Sequence, residues 1–101
     1  MKKQIFFEEN RVLVFLVGAI HTEDADRLRP ELMDCIAKGH KNFLIDMENV
    51  DYIDSAGIAM FLAVQKVVTK LDGKVTLQRL KGGVKDLFEI TQLGTVFGIE
   101  E

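Results

Sequence analysis

The stretch Val50-Asp51-Tyr52-Ile53-Asp54-Ser55-Ala56-Gly57-Ile58 sets a hydroxyl between a carboxylate and two very small residues, where a strand gives way to a helix. Upstream, Asn42-Phe43-Leu44-Ile45-Asp46-Met47 is a short apolar run of strand type. Downstream, Ala56 to Val68 is a long, mostly apolar stretch with no Gly or Pro after Gly57, and a helix is expected over Ser55–Leu71, stopped by Asp72-Gly73. Ser55 then stands at a helix start. Unpaired N–H groups and the macrodipole favour an incoming anion there, and a covalent phosphate is such an anion.

Before this stretch, the pattern predicts two strands, Lys3–Glu8 and Arg11–Gly18, joined at the turn residue Asn10 into an antiparallel hairpin. The unbroken apolarity of Val12-Leu13-Val14-Phe15-Leu16-Val17 predicts a central strand buried on both faces. Leu28, Leu32, Cys35 and Ile36 share one helical face, and Gly39 is a good stop. Because proline is cheap only in a first turn, Pro30 predicts regular helix from about Arg27 to Lys38, with a looser turn over Thr22–Asp26. After Ser55–Leu71 come a strand at Lys74–Arg79, a helix opened by Gly82-Gly83 and stopped near Gly94, and a short strand at Val96–Ile99. The order β-β-α-β-α-β-α-β implies strand–helix–strand crossovers. A mixed, mostly parallel sheet with an antiparallel N-terminal edge follows from it.

With 101 residues the chain fits one domain with a real core and not two. A net charge of −3 argues against direct nucleic-acid binding, which wants a clustered basic surface. The longest apolar runs, Val12–Val17 and Ala56–Val64, are too short to span a membrane. No secretory leader follows Met1-Lys2-Lys3, and the lone Cys35 excludes an intrachain disulfide, so a cytoplasmic protein is expected. No His, Cys and carboxylate cluster has metal-ligand spacing, and no cofactor is implied. A nucleophile elbow would need Gly at position 53, where Ile53 stands, and Lys81-Gly82-Gly83-Val84-Lys85 lacks the spacing of a phosphate-cradling loop.

The plainest role for Asp54 or Ser55 is an N-cap, which contributes on the order of 1 kcal/mol. Three features ask for more. Ile58 stands where a capping box would place Glu or Gln, two cap residues stand side by side, and Ala56-Gly57 spends helix propensity in the first turn. The helix that follows is apolar all round for two turns, although only one face of it can meet a sheet. Met60 and Val64 are the first candidates for an exposed apolar patch on which a partner docks.

The Val14–Gly18 strand, Leu44-Ile45-Asp46-Met47, Ile53-Asp54-Ser55-Ala56-Gly57-Ile58, Asp72-Gly73-Lys74-Val75 and Val84-Lys85-Asp86-Leu87-Phe88 together resemble the STAS domain family of bacterial anti-sigma factor antagonists. The resemblance covers almost the whole chain and implies an α/β, single-domain STAS fold with about three helices. It also implies a partner switch and not an enzyme. The unphosphorylated antagonist binds an anti-sigma factor that is an ATP-using serine kinase and frees its sigma factor. Phosphorylation of Ser55, flanked by Asp54, then ends the complex. The residues expected in partner binding are Asp54, Ser55, Ala56 and Gly57, with Met60 and Val64 from the apolar helix and His21 from the preceding loop. Family members usually carry acidic–apolar–Asp after the strand ending in Gly18, whereas this chain has Ala19-Ile20-His21. Loops after successive parallel strands share one end of the sheet, so His21 is expected near Ser55, where its imidazolium would favour a phosphate. A weak homodimer is a further association compatible with the sequence. The family also implies an alternative: a STAS scaffold, or a regulatory subunit of a signalling or transport assembly, that is never phosphorylated.

Overall fold

The computed structural model describes residues 1–101. Strand β1 (Lys2–Phe7) turns back at Glu8–Arg11, where the Glu8 N–H donates to the Arg11 carbonyl at 2.9 Å, into β2 (Val12–Ile20). Then follow α1 (Thr22–Ala37), β3 (Asn42–Ile53), α2 (Ser55–Thr69), β4 (Lys74–Gln78), α3 (Gly82–Ile90), a 3-10 turn at Leu93–Thr95 and β5 (Gly98–Glu100). The strands lie side by side in chain order, β1 antiparallel to β2 and every other pair parallel. The α/β class, the mixed sheet and the edge hairpin are those expected.

Three expectations need correction. Helix α1 is regular from Thr22, so Pro30 lies in its interior and not in its first turn. The proline denies the Asp26 carbonyl its acceptor role. Pro30 is exposed, and burial of Ala25, Leu28, Leu32 and Cys35 on the opposite side holds the helix through the break. Strand β3 runs to Ile53, well past Met47, so the loop before Ser55 shrinks to the single residue Asp54. Strand β2 is interior, between β1 and the central β3, and is not buried on both faces. Val12, Val14, Leu16 and Ile20 are buried, whereas Phe15 and Val17 are 36% and 45% exposed. All three helices contribute to one core cluster with the first set of residues, so the other face of the sheet has no helical layer.

Helix α2 is tied to its neighbours by one polar side chain. Gln65 accepts the Val75 N–H at 2.8 Å and donates to the Val96 carbonyl at 2.9 Å, joining α2 to β4 and to the segment leading into β5. Cys35 is buried among apolar side chains, which pushes its thiol above the usual range.

Candidate functional site

Strands β2 and β3 end level with each other. Ile20 pairs with Ile53, and the Asp54 N–H donates to the Ile20 carbonyl at 3.1 Å. Each strand then passes through a single extended cap residue, His21 or Asp54, into a helix. The N-termini of α1 and α2 therefore lie side by side at one end of the sheet. The sequence expectation that His21 and Ser55 share this end holds.

Asp54 is the bridge between them. Its Oδ1 accepts the Gly57 N–H at 2.9 Å, the N-cap bond of α2, and its Oδ2 accepts the Thr22 hydroxyl at 3.0 Å. The Gly57 N–H is the main cause that holds the Asp54 carboxyl below its usual range, against a cost from partial burial. The Thr22 hydroxyl, the Ala56 N–H and the charge of His21 add to the lowering. Asp54 is thus a carboxylate at neutral pH with both oxygens engaged.

Ser55, the first helical residue, is exposed, and its Oγ takes part in none of the side-chain hydrogen bonds. The cap is Asp54 and the serine is free of that task. At the end of β3, Asp51 is exposed and Tyr52 is 48% exposed, its ring centroid 5.2 Å from that of His21. His21 is exposed as well, and its backbone N–H donates to Asp24 Oδ2 at 2.9 Å.

Gly57 has a packing role that composition alone did not suggest. A Cβ there would stand 2.7 Å from Ile53 Cγ1, closer than real side chains approach, and a tight 3.0 Å from Ile20 Cγ2. The first turn of α2 thus sits directly on the ends of β2 and β3, and this holds Ser55 at the rim. Ala56 is half-buried beside it.

Met60 and Val64 are not exposed. Both are in the core, 2% and 0% accessible, because they face the sheet together with Phe61 and Val68. The apolar surface of α2 is made instead by Ala59, exposed, and by Ile58, Leu62 and Ala63, half-buried. Thr22 escaped the sequence reading. Its signal was the repeat of Ile20-His21-Thr22 in Ile53-Asp54-Ser55, an apolar strand end, a cap and a hydroxyl. A groove of about 560 Å³ between β4 and α3, lined by Arg79, Leu80, Phe88 and Ile99, contains none of the expected site residues.

The sequence matches the STAS domain profile over residues 3–101. The chain belongs to the STAS domain family. This STAS domain is 30% identical over 91 residues to a candidate anti-sigma factor antagonist, BtrV, of Bordetella bronchiseptica, covering 90% of this chain and 78% of that one. It is 32% identical over 91 residues to the anti-sigma-B factor antagonist of Bacillus subtilis, covering 90% and 83%. Its fold is that of the anti-sigma factor antagonist SpoIIAA in its unphosphorylated form, with a TM-score of 0.81 at 15% identity over 99% of this chain and 87% of that one. The phosphorylated form of the Bacillus SpoIIAA superposes equally well, at 0.80 and 17% identity over 97% and 90%. No helix of the STAS domain is long and apolar enough to cross a membrane.

Proposed function

We propose that this STAS domain is an anti-sigma factor antagonist that binds an ATP-using anti-sigma serine kinase and is released when the kinase phosphorylates Ser55. The observation that carries the reading is the division of labour at the start of α2. Asp54 caps the helix, and the Ser55 hydroxyl is left exposed and unbonded. A hydroxyl tied up as a cap would have to break its own bond before attacking a phosphoryl group; this one has none to break.

The same geometry explains why a phosphate would expel a partner. Asp54 already engages the Gly57 N–H, so that first-turn donor is not free to draw a phosphate inward. The phosphate adds about −1.5 to −2 charges beside Asp54 and Asp51 and points outward, toward whatever faced the neutral serine. A loss of about 3 kcal/mol at such an interface weakens binding more than about a hundredfold. Ala59 and the half-buried Ile58, Leu62 and Ala63 give the partner an apolar strip next to the switch.

The test is incubation with purified anti-sigma serine kinase and ATP, followed by intact-mass measurement and binding assays. One added phosphate on Ser55 with loss of the complex is expected. Binding by Ser55→Asp as tight as that of the unmodified protein would favour an unswitched scaffold and end the proposal.

A further inference from the structure

One side-chain bond joins the two corners at which β2 and β3 pass into helices. Thr22, the first residue of α1, reaches Asp54, the cap of α2, across 32 residues of chain. The sheet brings them together. Ile20 and Ile53 stand level, and the Asp54 N–H donates to the Ile20 carbonyl at 3.1 Å, so the two chains leave the sheet side by side. Thr22 Oγ1 then lies 3.0 Å from Asp54 Oδ2. An ionised carboxylate only accepts, so the hydroxyl is the donor and the bond is charge-assisted. Helix α1 does not use this hydroxyl for its own start, where the His21 N–H donates instead to Asp24 Oδ2 at 2.9 Å. Thr22 serves the other helix.

Two hydroxyls neighbour the Asp54 carboxylate, Thr22 through space and Ser55 along the chain. Oδ1 is taken by the Gly57 N–H at 2.9 Å, which leaves Oδ2 as the less encumbered oxygen. Thr22 occupies it, and the exposed Ser55 Oγ keeps no side-chain hydrogen bond. Without Thr22, an oxygen of the half-buried Asp54 loses its donor, and bonds to charged groups are the costlier ones to lose. The Ser55 hydroxyl, on the adjoining residue, is then the replacement donor.

We propose that Thr22 is a positioning residue for phosphoryl transfer to Ser55: by holding Asp54 Oδ2, it keeps the serine hydroxyl off the neighbouring carboxylate and turned toward the kinase. This rests on the reading of Ser55 as the phosphoacceptor. In the transfer, Ser55 Oγ forms a bond to the γ-phosphorus of ATP. The bond from that phosphorus to the β,γ-bridging oxygen breaks, and ADP leaves with the electron pair. The hydroxyl proton passes to a base of the kinase, because both oxygens of Asp54 are engaged. Catalysis of such a step is largely positioning of the reacting atoms. A serine tied back to Asp54 therefore reacts more slowly, while the surface that the kinase grips is unchanged.

Steady-state phosphorylation by purified anti-sigma serine kinase and ATP tests this with two variants. Thr22→Val removes the hydroxyl and keeps the branched shape, and Thr22→Ser keeps the hydroxyl. Both should still take phosphate on Ser55. Thr22→Val should lower kcat about three- to tenfold with KM within about twofold of the wild type, and Thr22→Ser should hold kcat within about twofold. Thr22→Ala replaces the valine variant if thermal melting shows that valine unfolds the domain. A carbon-13 NMR titration of the Asp54 carboxyl, without kinase, reads the same bond. Behind the Gly57 N–H, the Thr22 hydroxyl helps to lower that carboxyl, so its midpoint should rise in Thr22→Val and return in Thr22→Ser. A wild type that takes no phosphate on Ser55 ends the functional reading and this proposal with it. Where the wild type is phosphorylated there, three results overturn the role of Thr22 alone: Thr22→Val as fast as the wild type, Thr22→Ser as slow as Thr22→Val, or an Asp54 midpoint indifferent to position 22.

Discussion

The starts of α1 and α2 are built on one plan and behave differently. Ile20-His21-Thr22 and Ile53-Asp54-Ser55 each give a buried strand end, an extended cap and a hydroxyl at the first helical position, a hydrogen bond apart. In α1 the hydroxyl is spent, because Thr22 donates to Asp54, and Glu23 and Asp24 crowd the first turn with negative charge. In α2 the hydroxyl is free, and the first turn carries no acid. The first turn of α1 therefore adds two acids beside its hydroxyl, whereas that of α2 adds none. The contrast teaches that a helix N-terminus does not by itself make an acceptor site. What counts is which neighbour has already taken the donors and the hydroxyl.

The largest effect expected follows from that contrast. Ser55→Ala should abolish phosphorylation by the partner kinase, while Thr22→Ala keeps it, with intact-mass measurement as the readout. Phosphate on the Ser55→Ala protein would break the comparison at once.

Next come the third helical positions, Gly57 in α2 and Asp24 in α1. Gly57→Ala drives a methyl against Ile53 and Ile20 and should cost about 1–3 kcal/mol in denaturant unfolding, the range typical of overpacking. Asp24→Ala loses a hydrogen bond to the His21 N–H and should cost about 1 kcal/mol or less. Equal costs would mean that the two first turns are held alike.

The caps themselves differ in pH response. The Asp54 carboxyl is lowered in the folded state, so its stabilising contribution is fully present above its unfolded value of about 4 and is lost as pH falls through the folded value. The melting-temperature gap between the wild type and Asp54→Asn should therefore shrink between pH 6 and pH 3. A gap that stays constant would show that the charge of Asp54 contributes nothing.

The smallest effect concerns His21. If its imidazolium reaches the phosphate on Ser55, the second ionisation of that phosphate should lie lower in the wild type than in His21→Ala, by up to about one unit, in a ³¹P titration. Superimposable curves would make His21 a bystander.

Much of this site was legible beforehand. A strand end, Asp54, Ser55 and two small residues placed an exposed hydroxyl at a helix start, and βα order placed His21 at the same end. Two things were not legible. Met60 and Val64 are as apolar as Ile58 and Leu62, and a helix apolar all round does not announce which stripe meets the sheet. Thr22 was hidden because Pro30 argued against regular helix at that point, and burial of Ala25, Leu28, Leu32 and Cys35 outweighed the proline.

The sequence by itself determined the α/β order, the antiparallel edge and the family, since each rests on local pattern and on residues a few places apart. Only the tertiary structure decided that Asp54 rather than Ser55 caps α2 and that Thr22 binds Asp54 from 32 residues away. It also decided that Gly57 is a packing contact and that Phe6, Phe15 and Val17 face outward from a strand that reads as core. The physical reason is that hydrogen bonds and burial between distant segments depend on the register of β2 against β3, and no local window of residues sets that register.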